Sequence, residues 1–425
     1  MHFLFGCSRL LQRPCGSYLG HELKMSTRKA FQTLLIYRIG VTLNYQIIMV
    51  AVGWHIYELT NSVVSLGLVG LAELVPYFAF ALYSGHAVDT YSRRLIAAIA
   101  CSIHIAVAFF LAAIALNLIS PPVPLIYTAV AFIGVGRALM RPSYTAIFGQ
   151  IIPRAELTRY TALASSVFQI CVVAGPGIGG LLIGLAGLSW TYCLAGICAA
   201  VGLYGSWLIP AQKTPLSTVP SHFFTSFLEG FNYVRKHELI LATMALDMFA
   251  VLLGGAVSIL PAFVKEILHA GPETLGILRA SPALAAVITG IILARKPMLY
   301  NSGRYLLMSV AGFGLAIVGF GLSTELWVAA TFLMLSGCCD SVSVVIRGSI
   351  MQLTTPDHMR GRVSAINGIF IGSSNELGAL ESGLAASLMG LVPSIIFGGI
   401  ATIAVVTCTY YLAPQLRRLH IADLS

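Results

Sequence analysis

Ionisable side chains stand where the surrounding sequence is almost wholly apolar: Arg38, Glu73, Arg137, Asp247, Asp340, Glu376 and Glu381, with Arg279 near the end of another apolar run. A charge in hydrocarbon is expensive, so each such group must face a partner or a water-filled cavity, and groups of this kind mark ion and substrate pathways. Carboxylates there can take up and release protons as water access changes, and guanidinium groups can hold carboxylates or anions. Arg137 and Asp340 stand 203 positions apart (340 − 137), and around them the sequence repeats itself. Gly134, Pro153, Arg159, Ala162, Gly175, Gly180, Leu181, Leu185, Gly187 and Leu188 recur as Gly337, Pro356, Arg362, Ala365, Gly378, Gly383, Leu384, Leu388, Gly390 and Leu391. Opposite charges at equivalent places of a repeat predict a switchable pair, or two poles for a zwitterionic or polar ligand. Glu376 and Glu381 lie about 140° apart around a helix, so one can bind while the other packs. Arg38 sits near the end of its run, where it either joins a cavity or snorkels to the headgroups.

Catalytic chemistry has no comparable signal. There is no H-E-x-x-H, and Lys213-Thr214 lacks the glycine frame of a phosphate-binding loop. The nine cysteines form no C-x-x-C pair and fall mostly in apolar runs, as small apolar filler does. The sequence therefore predicts no enzyme, no cofactor and no metal site. Without a nucleotide site, work on a substrate must draw on an ion or substrate gradient.

The elements that must position these charges are membrane helices. The 425 residues are 57% hydrophobic and 10% charged, whereas a soluble domain carries about 25% charged residues. Twelve apolar runs are long enough to span a bilayer, near 32–57, 64–84, 95–118, 124–149, 161–186, 188–209, 239–263, 274–294, 305–322, 326–350, 364–388 and 390–412. With the repeat, they predict an all-α integral membrane protein of twelve transmembrane helices in two pseudo-symmetric six-helix bundles. Residues 31–209 form the first bundle and 239–413 the second. Residues 1–30 and 414–425 are tails, and 210–238 is a linker. Lys and Arg gather on alternate loops, among them Arg93, Arg94, Arg154, Arg235, Lys236, Arg304, Arg360 and Arg417, while the opposite loops hold little beyond Lys265. That bias places both termini in the cytoplasm. The net charge of +9 thus sets topology and does not bind nucleic acid. Residues 1–24 lack a signal-peptide pattern, and Met25 is a plausible true start. In the linker, Ser221 offers an N-cap to an amphipathic helix carrying Phe223, Phe224, Phe227, Leu228, Phe231 and Val234, which either lies in the headgroup layer or packs on the bundle base.

Three motifs carry a family resemblance. Gly85-His86-Ala87-Val88-Asp89-Thr90-Tyr91-Ser92-Arg93-Arg94 resembles the loop 2–3 signature of the major facilitator superfamily, with Thr90 and Ser92 replacing a basic residue and a glycine. Gly175-Pro176-Gly177-Ile178-Gly179-Gly180 resembles the antiporter motif of that superfamily, with Cys171 in place of its first glycine. The stretches Thr355–Asn367, Ile371–Gly378 and Glu381–Gly383 are similar to the enterobactin-exporter and macrolide-efflux-like branch. The resemblance covers roughly residues 30 to 415. It implies a cytoplasmic latch at Gly85, Asp89, Arg93 and Arg94, with Arg360 and Arg362 as natural partners of Asp89. It also implies close packing of Gly175, Pro176, Gly179 and Gly180 on another helix, for which span eight offers Ser281, Ala283, Ala285, Ala286 and Gly290. Spans one, four, seven and ten would line the cavity. The expectation is a monomeric exporter in a bacterial inner membrane, moving a siderophore-like or drug-like small molecule in exchange for protons. Uptake by symport on the same fold, or a non-transporting receptor or lipid-flipping protein, are the alternatives.

Overall fold

The computed structural model describes residues 15–209, 223–296, 298, 300–356 and 359–423, with side chains from residue 27 onward apart from Leu82, Gly85, His86, Asp89 and residues 223–227. The described regular elements are all helical: α1 (Cys15–Thr60), α2 (Val63–Thr90), α3 (Arg93–Ala115), α4 (Pro122–Ile151), α5 (Leu157–Leu208), α6 (Phe223–Lys236), α7 (Glu238–Leu253), α8 (Leu260–Glu266), α9 (Pro272–Arg295), α10 (Ser302–Gly321), α11 (Leu326–Thr354), α12 (Arg360–Met389), α13 (Leu391–Leu412) and α14 (Pro414–Arg417).

Ten helical stretches are long and apolar enough to cross a membrane. One of them, Arg154–Leu208, holds two crossings, because α5 breaks at Gly187 (φ 87°, ψ 175°). L side chains rarely adopt that backbone, so glycine makes the corner. Its repeat partner Gly390 (φ 92°) makes the same corner between α12 and α13. Helix α12 completes the set of twelve rods; it is more polar than the others because Arg360, Arg362, Glu376 and Glu381 lie on it. The expected seventh span is not one helix. The pair Gly254-Gly255 ends α7, a short 3-10 turn spans Ala256–Ile259, and Pro261 lies in the first turn of α8. Paired glycines and a proline without an N–H account for that break.

Within the first half, α1 packs on α5, α2 on α4, and α3 on α4 and α5; within the second, α9 packs on α11, α10 on α11 and α13, and α7 on α12 and α13. The halves meet along α5–α9 and α2–α12. Their glycines explain why the seam is there. A Cβ on Gly180 would stand 2.6 Å from the Gly276 Cα, and one on Gly383 3.2 Å from the Gly67 Cα. In lipid, helices associate through such close backbone approach, since apolar burial alone gives no preference for protein over lipid. Gly180 and Gly383 are repeat partners, so the two contacts are pseudo-symmetric copies. The small-residue surface expected on α9 serves another neighbour. Ser341 Oγ on α11 donates to the Ala286 carbonyl (3.1 Å), and Gly337 of α11 abuts Pro282.

Apolar packing differs at the two ends of the bundle. At the end carrying the loops after α1, α3, α8 and α10, one core contains residues of both halves, including Ile47, Ile56, Ile126, Phe263, Phe320 and Leu391. At the end carrying the linker and termini, the cores are separate: Leu34, Tyr37 and Ile147 in the first half, Leu246, Leu306 and Ile350 in the second. The molecule is therefore shut at the first end and parted at the second.

Described parts of the tails and linker fold onto the bundle. Helix α1 begins at Cys15, inside the expected tail. The chain after α13 folds back, with Gly303 N–H donating to the Leu419 carbonyl (3.1 Å) and Asn301 N–H to His420 Nδ1 (2.8 Å). Helix α6 packs on the bundle base, where Val234 is buried with Met359, Val363 and Ile366. Leu228 stays exposed on its other side. Ser221 and residues 210–222 lie outside the described residues.

Candidate functional site

Glycines one turn before each charge let the helices bring their ions together. Gly134 on α4 admits the Glu73 backbone of α2, and Arg137 follows one turn later. Gly70 on α2 leaves room for the Glu376 carboxylate of α12, with Oε2 3.0 Å from where a Cβ would be. Arg137 Nη1 therefore reaches three acceptors: Glu73 Oε1 at 2.6 Å, Tyr45 Oη at 3.0 Å and Glu376 Oε1 at 3.3 Å. Tyr45 in turn donates to Glu73 Oε1 (3.1 Å), and its ring and that of Tyr77 lie 5.0 and 5.4 Å from the guanidinium carbon. Glu73 is fully buried (0% exposed), while the Arg137 side chain keeps 37% of its surface open to the cavity. The bond to Glu73 stays inside the first half. The bond to Glu376 crosses to the second.

Two cavities share Asn375 and Glu376 as wall. One, of about 340 Å³, extends past Arg137 and Arg141 toward Ser364 and Gly368 at the parted end. The other, of about 490 Å³, lies between the halves and is lined by Tyr45, Gln46, Met49, Gln169, Arg279, Phe313, Ser336 and Asp340. Arg279 Nη1 donates to the Met49 carbonyl of α1 (3.0 Å), a further contact across the halves. Above it, Tyr57 donates to Glu266 and Lys265 Nζ donates to Asn61 Oδ1 (2.9 Å). Met49, Gly53 and Tyr57 recur every four residues along α1, with Asn61 just past its end, so these polar contacts to the second half line up along one stripe.

The expected pair of Arg137 with Asp340 does not form. Arg137 is taken by Glu73 of α2, which packs on α4, and by Glu376 of α12, which packs on α2, and Asp340 lines the central cavity without an ion pair among the described residues. Asp247 is paired with Arg347, two turns after Asp340 on α11. Sequence reading missed Arg347 because it falls near the expected end of span ten, where an arginine needs no partner. It also missed Tyr45, since a tyrosine is unremarkable without its neighbours, and Arg141, which lies inside the expected span four. The glycine one turn before Arg137 was a usable signal.

Other expected residues lie elsewhere. Arg38 neither snorkels nor joins the cavity: its guanidinium carbon sits 4.2 Å from the Tyr144 ring and 4.8 Å from the Phe168 ring, inside the first half. Glu381 is half-buried and makes no ion pair among the described residues. At the latch, Arg93 Nη1 donates to the Ala146 carbonyl (3.0 Å) and Arg94 Nη1 to the Ile209 carbonyl (3.4 Å), both within the first half. Arg362 pairs with Glu229 of α6 (2.6 Å), because α6 docks directly on its turn of α12. The surroundings of Gly85 and the side chain of Asp89 lie outside what is described. Gly175, Pro176, Gly179 and Gly180 are buried, with Gly175 against Gln46 of α1 and Gly180 against α9.

A family model described as "transmembrane secretion effector" matches residues 25–424. The chain belongs to that family of major facilitator transporters. It is 24% identical over 412 residues to the enterobactin exporter EntS of Escherichia coli O1:K1, covering 95% of this chain and 96% of that protein. The EntS of Shigella boydii serotype 18 is 25% identical over the same coverage. The fold is similar to that of a D-xylose–proton symporter (TM-score 0.73, 12% identity, 92% of this chain and 99% of that one). It is also similar to a bacterial homolog of the human lysosomal transporter Spinster in an inward-facing, unoccupied conformation (TM-score 0.70, 14% identity, 94% and 98%). This member of the family is thus a multi-pass membrane transporter built on the major facilitator fold.

Proposed function

We propose that this transporter exports a small amphiphilic molecule, siderophore-like or drug-like, in exchange for protons across a bacterial inner membrane, with both termini cytoplasmic. The carrying observation is Arg137 bonded to Glu73 within its own half and to Glu376 across the halves. Alternating access needs the shut end to open and the parted end to close. A charge pair spanning the halves resists that motion while Glu376 is ionised. A proton on Glu376 removes the charge that holds Arg137, and a donor group on the cargo competes for the same oxygen. Proton and cargo then exclude one another at one carboxylate, which is the condition for exchange. The export direction is supported by the relatives named enterobactin exporters.

The test uses everted membrane vesicles energised by respiration, with internal acidity followed by acridine orange. A panel of iron-free catecholate siderophores and amphiphilic dyes is added in turn. At least one compound should release protons from vesicles containing the protein and not from vesicles containing Glu376→Gln. Accumulation of a compound without proton movement, or proton movement unaffected by Glu376→Gln, would overturn the reading.

A further inference from the structure

The repeat that places Arg137 also places Asp340, yet only one of them has a counter-charge. Gly67 and Gly276 are equivalent, since they face the repeat partners Gly383 and Gly180. Six residues beyond Gly67 stands Glu73; six beyond Gly276 stands Pro282. The packing confirms the correspondence, because Gly134 abuts the Glu73 carbonyl and its partner Gly337 abuts the Pro282 carbonyl. So the first half holds an arginine against a glutamate, and the second holds an aspartate against a proline. Asp340 has lost its symmetric partner.

Among the described residues no cation is bonded to it. Arg137 is bonded to Glu73 and Glu376. Arg347 is bonded to Asp247. Arg279, on the wall of the same cavity, spends Nη1 on the Met49 carbonyl and makes no ion pair with Asp340. Arg141 is exposed at the parted end, where water screens it. Of the two carboxylates lining the central cavity, Glu376 is bonded to Arg137 and Asp340 has no ion pair among the described residues; Asp340 is half-buried in the wall beside Phe313, Ser336 and Gly337. An unpaired carboxylate in such a wall is costly and is relieved by any cation that enters.

We propose that Asp340 receives a positively charged group of the transported molecule, so that the cargo is an amphiphilic organic cation whose apolar body lies against Met49, Phe313 and Ile317. This rests on the reading of the chain as an exporter and names the charge of what it exports. Two ions of one shape and opposite sign test it: tetraphenylphosphonium and tetraphenylborate. Neither carries a titratable proton, and binding to the purified full-length protein in detergent is measured by equilibrium dialysis without any gradient. Wild-type protein should bind the phosphonium at least tenfold more tightly than the borate. Asp340→Asn should weaken phosphonium binding about tenfold or more, and Asp340→Glu should retain it. Equal or tighter borate binding overturns the proposal, as does undiminished phosphonium binding in folded Asp340→Asn. If Asp340→Asn does not fold, the wild-type comparison of the two ions decides alone. The outcome is separate from proton exchange: Glu376→Gln vesicles that lose coupling while the protein prefers the borate would leave exchange standing and reject the cationic cargo.

Discussion

Removing the Glu376 charge should open the shut end without destabilising the protein, whereas removing the Glu73 charge should destabilise the fold. The two bonds to Arg137 differ in length and in surroundings. A hydrogen bond between charged groups contributes about 1.5–3 kcal/mol. The Glu376 bond is 3.3 Å long, with the arginine 37% and the glutamate 15% exposed, so screening reduces it to about 1 kcal/mol. That amount changes a conformer ratio about fivefold. The Glu73 bond is 2.6 Å long and its carboxylate is fully buried. Removing Arg137 strands that carboxylate and costs about 3–5 kcal/mol; removing the Glu73 charge takes away the shorter of the two ion pairs of Arg137, about 1.5–3 kcal/mol. Spin labels on cysteines introduced at Leu118 and Thr324, in a background without native cysteines, report the distance between halves at the shut end. Glu376→Gln should raise the long-distance population about fivefold at unchanged yield and melting temperature. Glu73→Gln should reduce yield and melting temperature sharply, and Arg137→Ala likewise. An unchanged distance distribution in Glu376→Gln would refute the reasoning, as would a Glu73→Gln protein as stable as wild type.

The polar stripe on α1 gives a second expectation: Tyr57→Phe with Lys265→Ala should increase cysteine accessibility in the cavity from the shut end, and unchanged accessibility would return those residues to mere surface contacts. At the seam, Gly180→Leu should hold the protein open at the same end, because its Cβ alone would stand 2.5 Å from the Pro272 carbonyl; normal closure by the same distance measurement would show that α9 can give way. Membrane orientation is checked by impermeant thiol reagents in intact cells. Cysteines at Ser92 and Ser302 should be shielded and a cysteine at Ser120 should react, and the reverse pattern would invert the topology.

Legibility in the sequence followed the range of the forces involved. Hydropathy, the alternation of Lys and Arg, and the recurrence of Gly134, Gly180, Gly187 and their partners are properties of segments against a bilayer. They therefore determined the twelve rods and the two halves before any contact was known, while the corners that Gly187 and Gly390 make came only with the backbone. The list of costly buried ions was also complete enough to contain Glu73, Arg137, Asp247, Asp340 and Glu376, since hydrophobic context alone marks them. Which ion meets which was not legible. Arg137 and Asp340 share a place in the repeat, but a pair needs side chains within about 3 Å, and helix approach is set by glycines on both partners. Gly134 and Gly70 deliver Glu73 and Glu376 to Arg137, while Pro282 stands where Asp340 would have needed a counter-ion. The same holds at the base, where α6 claimed Arg362 through Glu229. Sequence fixes what each helix carries and where it must sit in lipid; only the packing of helices far apart in the chain decides which charges are satisfied and which is left for a ligand.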